Sequence, residues 1–419
     1  MKRQWKQATL AVAVASAMGS VAGSASAAGF ALIEQSASGM GNAFAGAAAT
    51  AEDASTIFYN PAGMSKLSGP QFAVAGHAID VSLKFSNNGS SSVPGPLTGG
   101  DGGNAGGVAF VPNGYFVMPV NDRWTVGLGV NAPFGLKTDY DSDWVGRFQG
   151  IKTEVSGINY NPAVSYKISD NVSVGFGIDY QKFDAELTNA IFTGGPEATS
   201  KLDASDDGWG WNAGVLAQLT PTTRVGVSYR SKIHYKLEGT NLVSAPVNLS
   251  NSVQTDLTVP DMASLSAVQK LGDSWDLLGD VTYTRWDSID TLTVVNSANG
   301  STLDTLPLKF RNTWRASLGA NYYYSEKWTF KGGLAWDQTP VQDQYRTVRL
   351  PDNDRKWLAV GAKYRVTNSA AIDMGYAHLF ISNASINNTS TQASGFTSTV
   401  VGNYTGSIDI FSLQYTQSF

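Results

Sequence analysis

The sequence predicts an all-β protein, a transmembrane antiparallel β-barrel of about fourteen strands with an N-terminal hatch inside its lumen. Three observations carry that expectation. Apolar and polar residues alternate with period two in segment after segment, as in strands whose two faces meet different environments. Short polar turns alternate with long connections, which a soluble sandwich does not require. The 419 residues are only 15% charged and include 44 Gly, 17 Tyr and 11 Trp, whereas a typical soluble domain is about 25% charged. Acids outnumber bases, 34 to 29, which argues against nucleic acid as a partner. With no cysteine there is no disulfide framework, thiolate metal site or cysteine nucleophile, and neither a metal nor a cofactor is expected.

Lys2, Arg3 and Lys6 precede an apolar run from Ala8 to Met18 and small residues ending Ala25-Ser26-Ala27. This reads as a secretory signal peptide over residues 1–27. Its loss removes three cations and leaves 26 bases against 34 acids, a net charge of -8, on a chain starting at Ala28. The run is too short to span a membrane, and no later stretch holds 18 consecutive apolar residues. Residues 28–69, rich in Gly, Ala and Ser, precede the first credible strand. Ala43 to Ala54 is expected to form a short helix, broken at Asn60-Pro61-Ala62 because proline lacks an amide donor. A barrel of about fourteen strands encloses more space than its side chains fill, so this segment is expected inside as a plug. A periplasmic extension is the alternative.

The barrel is expected over 70–419. In Ser173 to Tyr180, Val174, Phe176, Ile178 and Tyr180 share one face, with Ser173, Gly175, Gly177 and Asp179 on the other. Trp328, Phe330, Leu334 and Trp336 likewise oppose Thr329, Lys331, Gly333, Ala335 and Asp337. The apolar faces would meet lipid and the polar ones a lumen. Short turns fall near Asn121-Asp122, Ser169-Asn171, Pro221-Thr223, Gly272-Ser274, Ser325-Glu326 and Asn368. Long connections are expected at Lys84-Gly107, Pro133-Gly150, Leu187-Gly208, Glu238-Gln254, Asp287-Pro307, Gln338-Asp354 and Asn383-Gly402. Seven long and six short connections join fourteen strands, the outer-membrane pattern with both barrel ends periplasmic. Tyr322, Tyr323, Tyr324 and Trp328 flank one short turn, and Trp144, Trp209, Trp211, Trp286 and Trp357 lie nearer long connections, where aromatic girdles are expected. Phe411, Leu413, Tyr415 and Phe419 alternate at the C-terminus, like the last strand of bacterial outer-membrane proteins.

Ala132-Pro133-Phe134-Gly135 follows the alternating Trp124, Val126, Leu128 and Val130. Proline removes a ladder hydrogen bond and glycine permits a bend, so the strand should leave its neighbour here. Either the wall opens sideways or the strand ends in a loop. Elsewhere, parity supplies lumen candidates. If Val225, Val227 and Tyr229 face lipid, Arg230, Lys232, His234 and Lys236 face inward. Lys309, Arg311 and Arg315 are expected inward opposite Phe310, Trp314 and Leu318, with Lys331, Arg355, Lys363 and Arg365 on the following strands. A lipid-facing charge costs about 2–4 kcal/mol at mid-bilayer. Inward acids are Asp179, Asp280, Asp337 and Asp373. A lumen with more bases than acids suits a substrate with a carboxylate, although self-paired polar filling accounts for most of these residues individually.

Several motifs together resemble the long-chain fatty acid transporters, the FadL/TodX family. They are Ala28-Gly29-Phe30, the stretch Ser38 to Gly41, Asn60-Pro61-Ala62, Gly208 to Gly214, Ser228-Tyr229-Arg230-Ser231, Tyr322 to Phe330, and Trp336-Asp337 through Pro351 to Arg355. They occur in order from the mature N-terminus into the last third of the barrel. A second Asn-Pro-Ala, at Asn161, Pro162 and Ala163, lies within the fourth strand and reads as coincidence. The resemblance implies a monomeric fourteen-stranded barrel, an N-terminal hatch and a third-strand kink through which hydrophobic substrate leaves into the membrane. It implies that Phe30 lies beside an internal ligand pocket and that Asp337 is a pocket acid. The Leu187 to Gly208 connection is much shorter than in the best-known members, which puts an outer ligand groove in doubt.

The expected function is passive uptake of long-chain fatty acids or other hydrophobic compounds, with Phe30, Asp337, Lys309, Arg311, Lys331 and Arg230 as candidate ligand residues. Outer-membrane lipid and lipopolysaccharide are the expected surroundings. A general diffusion porin, a channel for alkanes or aromatic hydrocarbons, and an adhesin are the alternatives. His77, His234 and His378 are the only histidines, each in strand-like sequence, and a hydrolase would need a paired serine. No catalytic residue is assigned. Gly99 to Gly107 has no strand-to-helix context and reads as a loop, not a phosphate cradle.

Overall fold

The computed structural model describes residues 29–419; the expected signal peptide and Ala28 lie outside them. Fourteen antiparallel strands close into a barrel. They are β1 (Gln71–Asn87), β2 (Gly107–Pro119), β3 (Trp124–Asp139), β4 (Lys152–Lys167), β5 (Val172–Ile191) and β6 (Ala198–Gln218). β7 runs in two pieces, Thr223–Arg230 and Ile233–Val243, as do β8 (Leu249–Val259, Met262–Leu271), β9 (Trp275–Thr284, Thr291–Asn296) and β10 (Thr302–Pro307, Thr313–Tyr323). β11 (Trp328–Asp337), β12 (Arg355–Arg365), β13 (Ala370–Ile381, Ala384–Thr391) and β14 (Thr397–Ser418) follow. β14 pairs with β1 from Gln71↔Ser418 to Asn87↔Gly402, which closes the ring. All six short turns fall where the polar dipeptides placed them.

The alternation has the expected physical meaning. Phe176, Ile178, Phe330, Leu334 and Trp336 are exposed outward, and Ser173, Asp179, Lys331 and Asp337 are buried inward. Phe411, Leu413, Tyr415 and Phe419 are likewise exposed. Four of the seven long connections are mostly strand. β5 and β6 continue past the membrane to Ile191 and Ala198, and similar hairpins extend β7–β8, β9–β10 and β13–β14. Their Thr, Ser and Asn read as loop, yet a hairpin with water on both sides needs no apolar face. The connections 88–106, 140–151 and 338–354 remain loops apart from short pieces.

Four expectations about side-chain direction are corrected. Trp144, Trp286 and Trp357 are buried, not girdle residues. Trp144 stacks on Tyr140 with ring centroids 4.0 Å apart, whereas Trp209 and Trp211 do face outward. Lys232, His234 and Lys236 point outward, because β7 breaks at Ser231-Lys232 and its parity inverts, turning Ile233, Tyr235 and Leu237 in. Lys309 and Arg311 lie in the gap between the halves of β10, where Phe310 turns inward. Lys309 pairs with Asp290 at 2.6 Å and Arg311 with Asp354 at 3.6 Å, both about two-fifths exposed. Arg365 is exposed at a short turn, while Arg230, Arg315, Lys363 and Arg355 face in with Asp179, Asp280 and Asp373.

Candidate functional site

Residues 29–69 run through the lumen. Of the single helix expected over 43–54 only the turn α2 (Ala47–Thr50) forms; α1 (Ala37–Met40) precedes it, and α3 (Thr56–Tyr59) and a 3-10 turn over Pro61–Lys66 follow. Ala43, Phe44 and Ala51 take left-handed backbone conformations that end helix on either side of α2. The wall captures the groups a longer helix would use. Arg315 donates to the Ala43 carbonyl at 2.9 Å, Arg224 to that of Thr50 at 2.6 Å, and the Ala48 amide donates to Ser266 at 3.0 Å. Asn60 ends α3 and caps the next turn through the Ala62 amide, while its own amide donates to the Ala48 and Val215 carbonyls. Pro61 is the first residue of that turn and Ser173 holds the Ala62 carbonyl at 2.9 Å.

Inward glycines make room for this chain. A Cβ on Gly226 would sit 1.9 Å from the Ala48 oxygen, and one on Gly333 2.2 Å from the Asn42 carbonyl carbon. Beside them Lys331 donates to Glu52 at 2.8 Å, to the Ser38 carbonyl at 2.8 Å and to Asp373 at 3.3 Å. Lys363 adds a bond to Glu52 at 2.7 Å. Burial pushes the Glu52 carboxyl up, but Lys331 and Lys363 outweigh it and hold its pKa at about 2. Lys331 is thus occupied by the chain's own segment. Arg230 is similarly engaged, donating to Asp179 and to the Phe58 carbonyl.

The first residues form a separate arm. β3 does not end at Ala132–Gly135; it continues to Asp139, with its register against β4 shifting between Asn131 and Phe134. Its pairing with β2 stops at Gly114↔Val130. The arm takes over the vacated edge: Leu32 donates to the Pro133 carbonyl at 2.8 Å, Gly135 to that of Phe30 at 2.9 Å, and the Gln35 amide to that of Ala132 at 2.8 Å. Phe30 packs against Phe134 and Trp286 at centroid distances of 5.6 and 5.1 Å. Leu136, Phe183, Phe310, Val341 and Leu350 extend this apolar cluster. Gly29, at φ +62°, donates to Asp352 at 2.9 Å. Asp352 also holds Arg355 at 2.6 Å. Asp337 is buried directly across the ladder from Arg315 and Arg355. Glu34, 1% exposed, has its pKa raised to about 7 by burial, against the pull of Arg355 and Arg315.

Of the residues singled out by sequence, the fold brings together Phe30 with Phe134, and Asn60, Pro61 and Ala62 with the wall. It sets Lys309 and Arg311 apart. Glu34 and Glu52 carry no sequence signal of their own, and Trp286 and Phe310, expected outward, are turned in because irregular segments place them.

A closed barrel with an apolar belt and a lumen threaded by its own N-terminal segment defines the class as an outer-membrane β-barrel protein. Residues 18–419 match the outer membrane protein transport protein family (OMPP1/FadL/TodX), and the chain belongs to that family. It is 33% identical to outer membrane protein P1 of Haemophilus influenzae over 87% of this chain and 89% of that one. It is 30% identical to the long-chain fatty acid transport protein of Escherichia coli O6:H1, over 90% and 92%. The crystal structure of a Pseudomonas aeruginosa FadL homologue superposes with a TM-score of 0.87 at 26% identity, covering 94% of this chain and all of that one. The Ralstonia pickettii toluene transporter TbuX shares the fold, with a TM-score of 0.66 at 21% identity over 89% and 95% of the two chains.

Proposed function

We propose that this protein is a monomeric channel for passive uptake of long-chain fatty acids or other hydrophobic compounds, with release sideways into the membrane at Ala132–Gly135. The observation that carries this reading is the β3 edge left by β2 above Val130, where the arm bonds at Pro133 and Gly135 and Ala105 bonds at Asp139. An apolar tail displacing Phe30 would lie among Phe134, Trp286 and Leu350, beside that edge. Withdrawal of the arm would then free the edge without unseating residues 37–66, which the Glu52 ion pairs and the glycine-lined wall hold independently. Each buried methylene contributes about 0.8 kcal/mol, so the pocket can hold a tail while its transfer into lipid is nearly isoenergetic. A sideways exit avoids returning the tail to water. The fatty acid transport relatives support the substrate class, and the filled lumen disfavours a general porin.

Replacing Ala132-Pro133-Phe134-Gly135 by Val-Thr-Val-Thr tests the exit. The regular strand should pair with β2, keep the barrel heat-resistant on gels and abolish uptake. Normal uptake by that folded variant would retire lateral release.

A further inference from the structure

Beside the β3 bulge, three amide side chains stand in one ladder row on the inner wall. Asn131 of β3 is paired across to Asn159 of β4, and Asn159 to Gln181 of β5. They are 1%, 0% and 2% exposed. Asn159 donates to Asp179 at 2.7 Å and to the Asn131 oxygen at 3.4 Å. Four buried atoms here, Asn131 Nδ2, Gln181 Nε2, Asn159 Oδ1 and Asp179 Oδ2, make no hydrogen bond of ordinary geometry among the described residues, with the Tyr235 hydroxyl lying beside Gln181. Neither does Gln35 Oε1, whose own amide group is bonded to Ala132. A buried polar atom left unpaired costs about 1–3 kcal/mol, and five such atoms in one place point to a ligand that supplies the missing bonds. The row reaches the bulge, because a methyl on Gly157 would meet the Gln181 amide at 3.0 Å and Phe134 at 3.5 Å. Phe134 and Phe183 on the same strands belong to the apolar cluster around Phe30.

We propose that Asn131, Asn159 and Gln181 form a head-group site for substrates that carry an uncharged hydrogen-bonding head, a hydroxyl or protonated carboxyl, on an apolar tail. This rests on the uptake reading above and narrows its substrate class. Such a head accepts from the free amide groups of Asn131 and Gln181 and donates to Asn159 or Asp179. Asp179, which Asn159 bonds, is already paired with Arg230. An ionised carboxylate would therefore meet the unpaired Asp179 oxygen with no free cation beside it. Holding the head in its neutral form suits a route that ends in hydrocarbon, where a charge is costly.

The test compares uptake of 1-dodecanol and dodecane by cells expressing wild type, Asn131→Leu or Gln181→Leu, each checked for a heat-resistant barrel. Dodecanol uptake should fall about tenfold for either substitution, the equivalent of one good hydrogen bond, while dodecane uptake is unchanged. Where leucine prevents folding, Gln181→Met keeps the side chain's length without its amide and gives the same comparison. Equal loss for both compounds would assign the row to wall shape alone, and no loss for dodecanol would assign it to ordered water; either overturns the head-group site. Dodecanol and dodecane both passing at wild-type rates through every variant would retain the uptake reading without the head-group site, whereas a wild type that carries neither compound would remove both.

Discussion

At the scale of single residues, Lys331 shows what parity can and cannot convey. Alternation put its ammonium group in the lumen, but an inward cation is equally suited to a substrate carboxylate or to Glu52 of the chain itself. Removing it leaves Asp373 buried with Lys363 at 3.5 Å, and breaking a buried pair typically costs about 3–5 kcal/mol. Lys331→Met should therefore lower the melting temperature and raise single-channel conductance. Its binding of palmitate and of an alkane of equal length should change alike; selective loss of palmitate would return Lys331 to the ligand site. The two glutamates give opposite pH dependences. Glu52 is held at about 2, below its ordinary 4.5, so its contribution is full above about pH 4.5 and is lost as pH falls toward 2. Glu34 is raised to about 7, so the arm is most stable below pH 4.5 and loosens as pH rises through 7. Hydrogen exchange at residues 30–35, corrected for its intrinsic rate, should quicken between pH 5 and 8. In Glu34→Gln that rise should flatten, and an unchanged rise would mean that another group controls the arm.

At the scale of elements, the inner face of the wall is shaped as much by what it lacks as by what it presents. Gly226 and Gly333 admit backbone where any side chain would collide, on strands whose outward faces are unaffected. Gly226→Val and Gly333→Val should therefore leave the barrel folded on gels while displacing residues 42–48, seen as new protease cleavage there. A variant that stays protease-resistant would show that the wall, not the segment, yields. Strand existence and direction were legible because lipid on one side and polar filling on the other enforce alternation. The parity inversions in β7 and β10 were not: Ser231-Lys232 contains no proline or glycine, Pro307 ends the first piece of β10 without fixing which face follows, and the inward turn of Phe310 goes with contacts around Trp286 and Phe30. The bend at Pro133-Phe134-Gly135 was legible, but that the arm takes over its free edge was not, since Leu32 and Phe30 bond there through backbone alone.

At the scale of the whole molecule, fourteen strands enclose a lumen too wide for wall side chains to fill, and the chain fills it with residues 29–69. That segment touches strands around most of the ring: Gln414 of β14 and Lys331 of β11 on one side, Ser173 of β5, Asn212 of β6 and Ser266 of β8 on the other. The strands nevertheless close without it, because β1 pairs with β14 along its whole length. Barrel integrity and occlusion are therefore separable. Deleting residues 29–69 should yield a protein that still migrates as a heat-resistant barrel, with a lower melting temperature. Its conductance in planar bilayers should rise from near zero to a steady open level. The same deletion should erase any preference among substrates, because Phe30, Gln35 and Glu34 leave with it and the apolar cluster opens to water. An unaltered conductance would mean that loops 88–106, 140–151 and 338–354, which meet through bonds such as that from the Tyr140 hydroxyl to the Val348 carbonyl at 2.6 Å, seal the mouth without help from below.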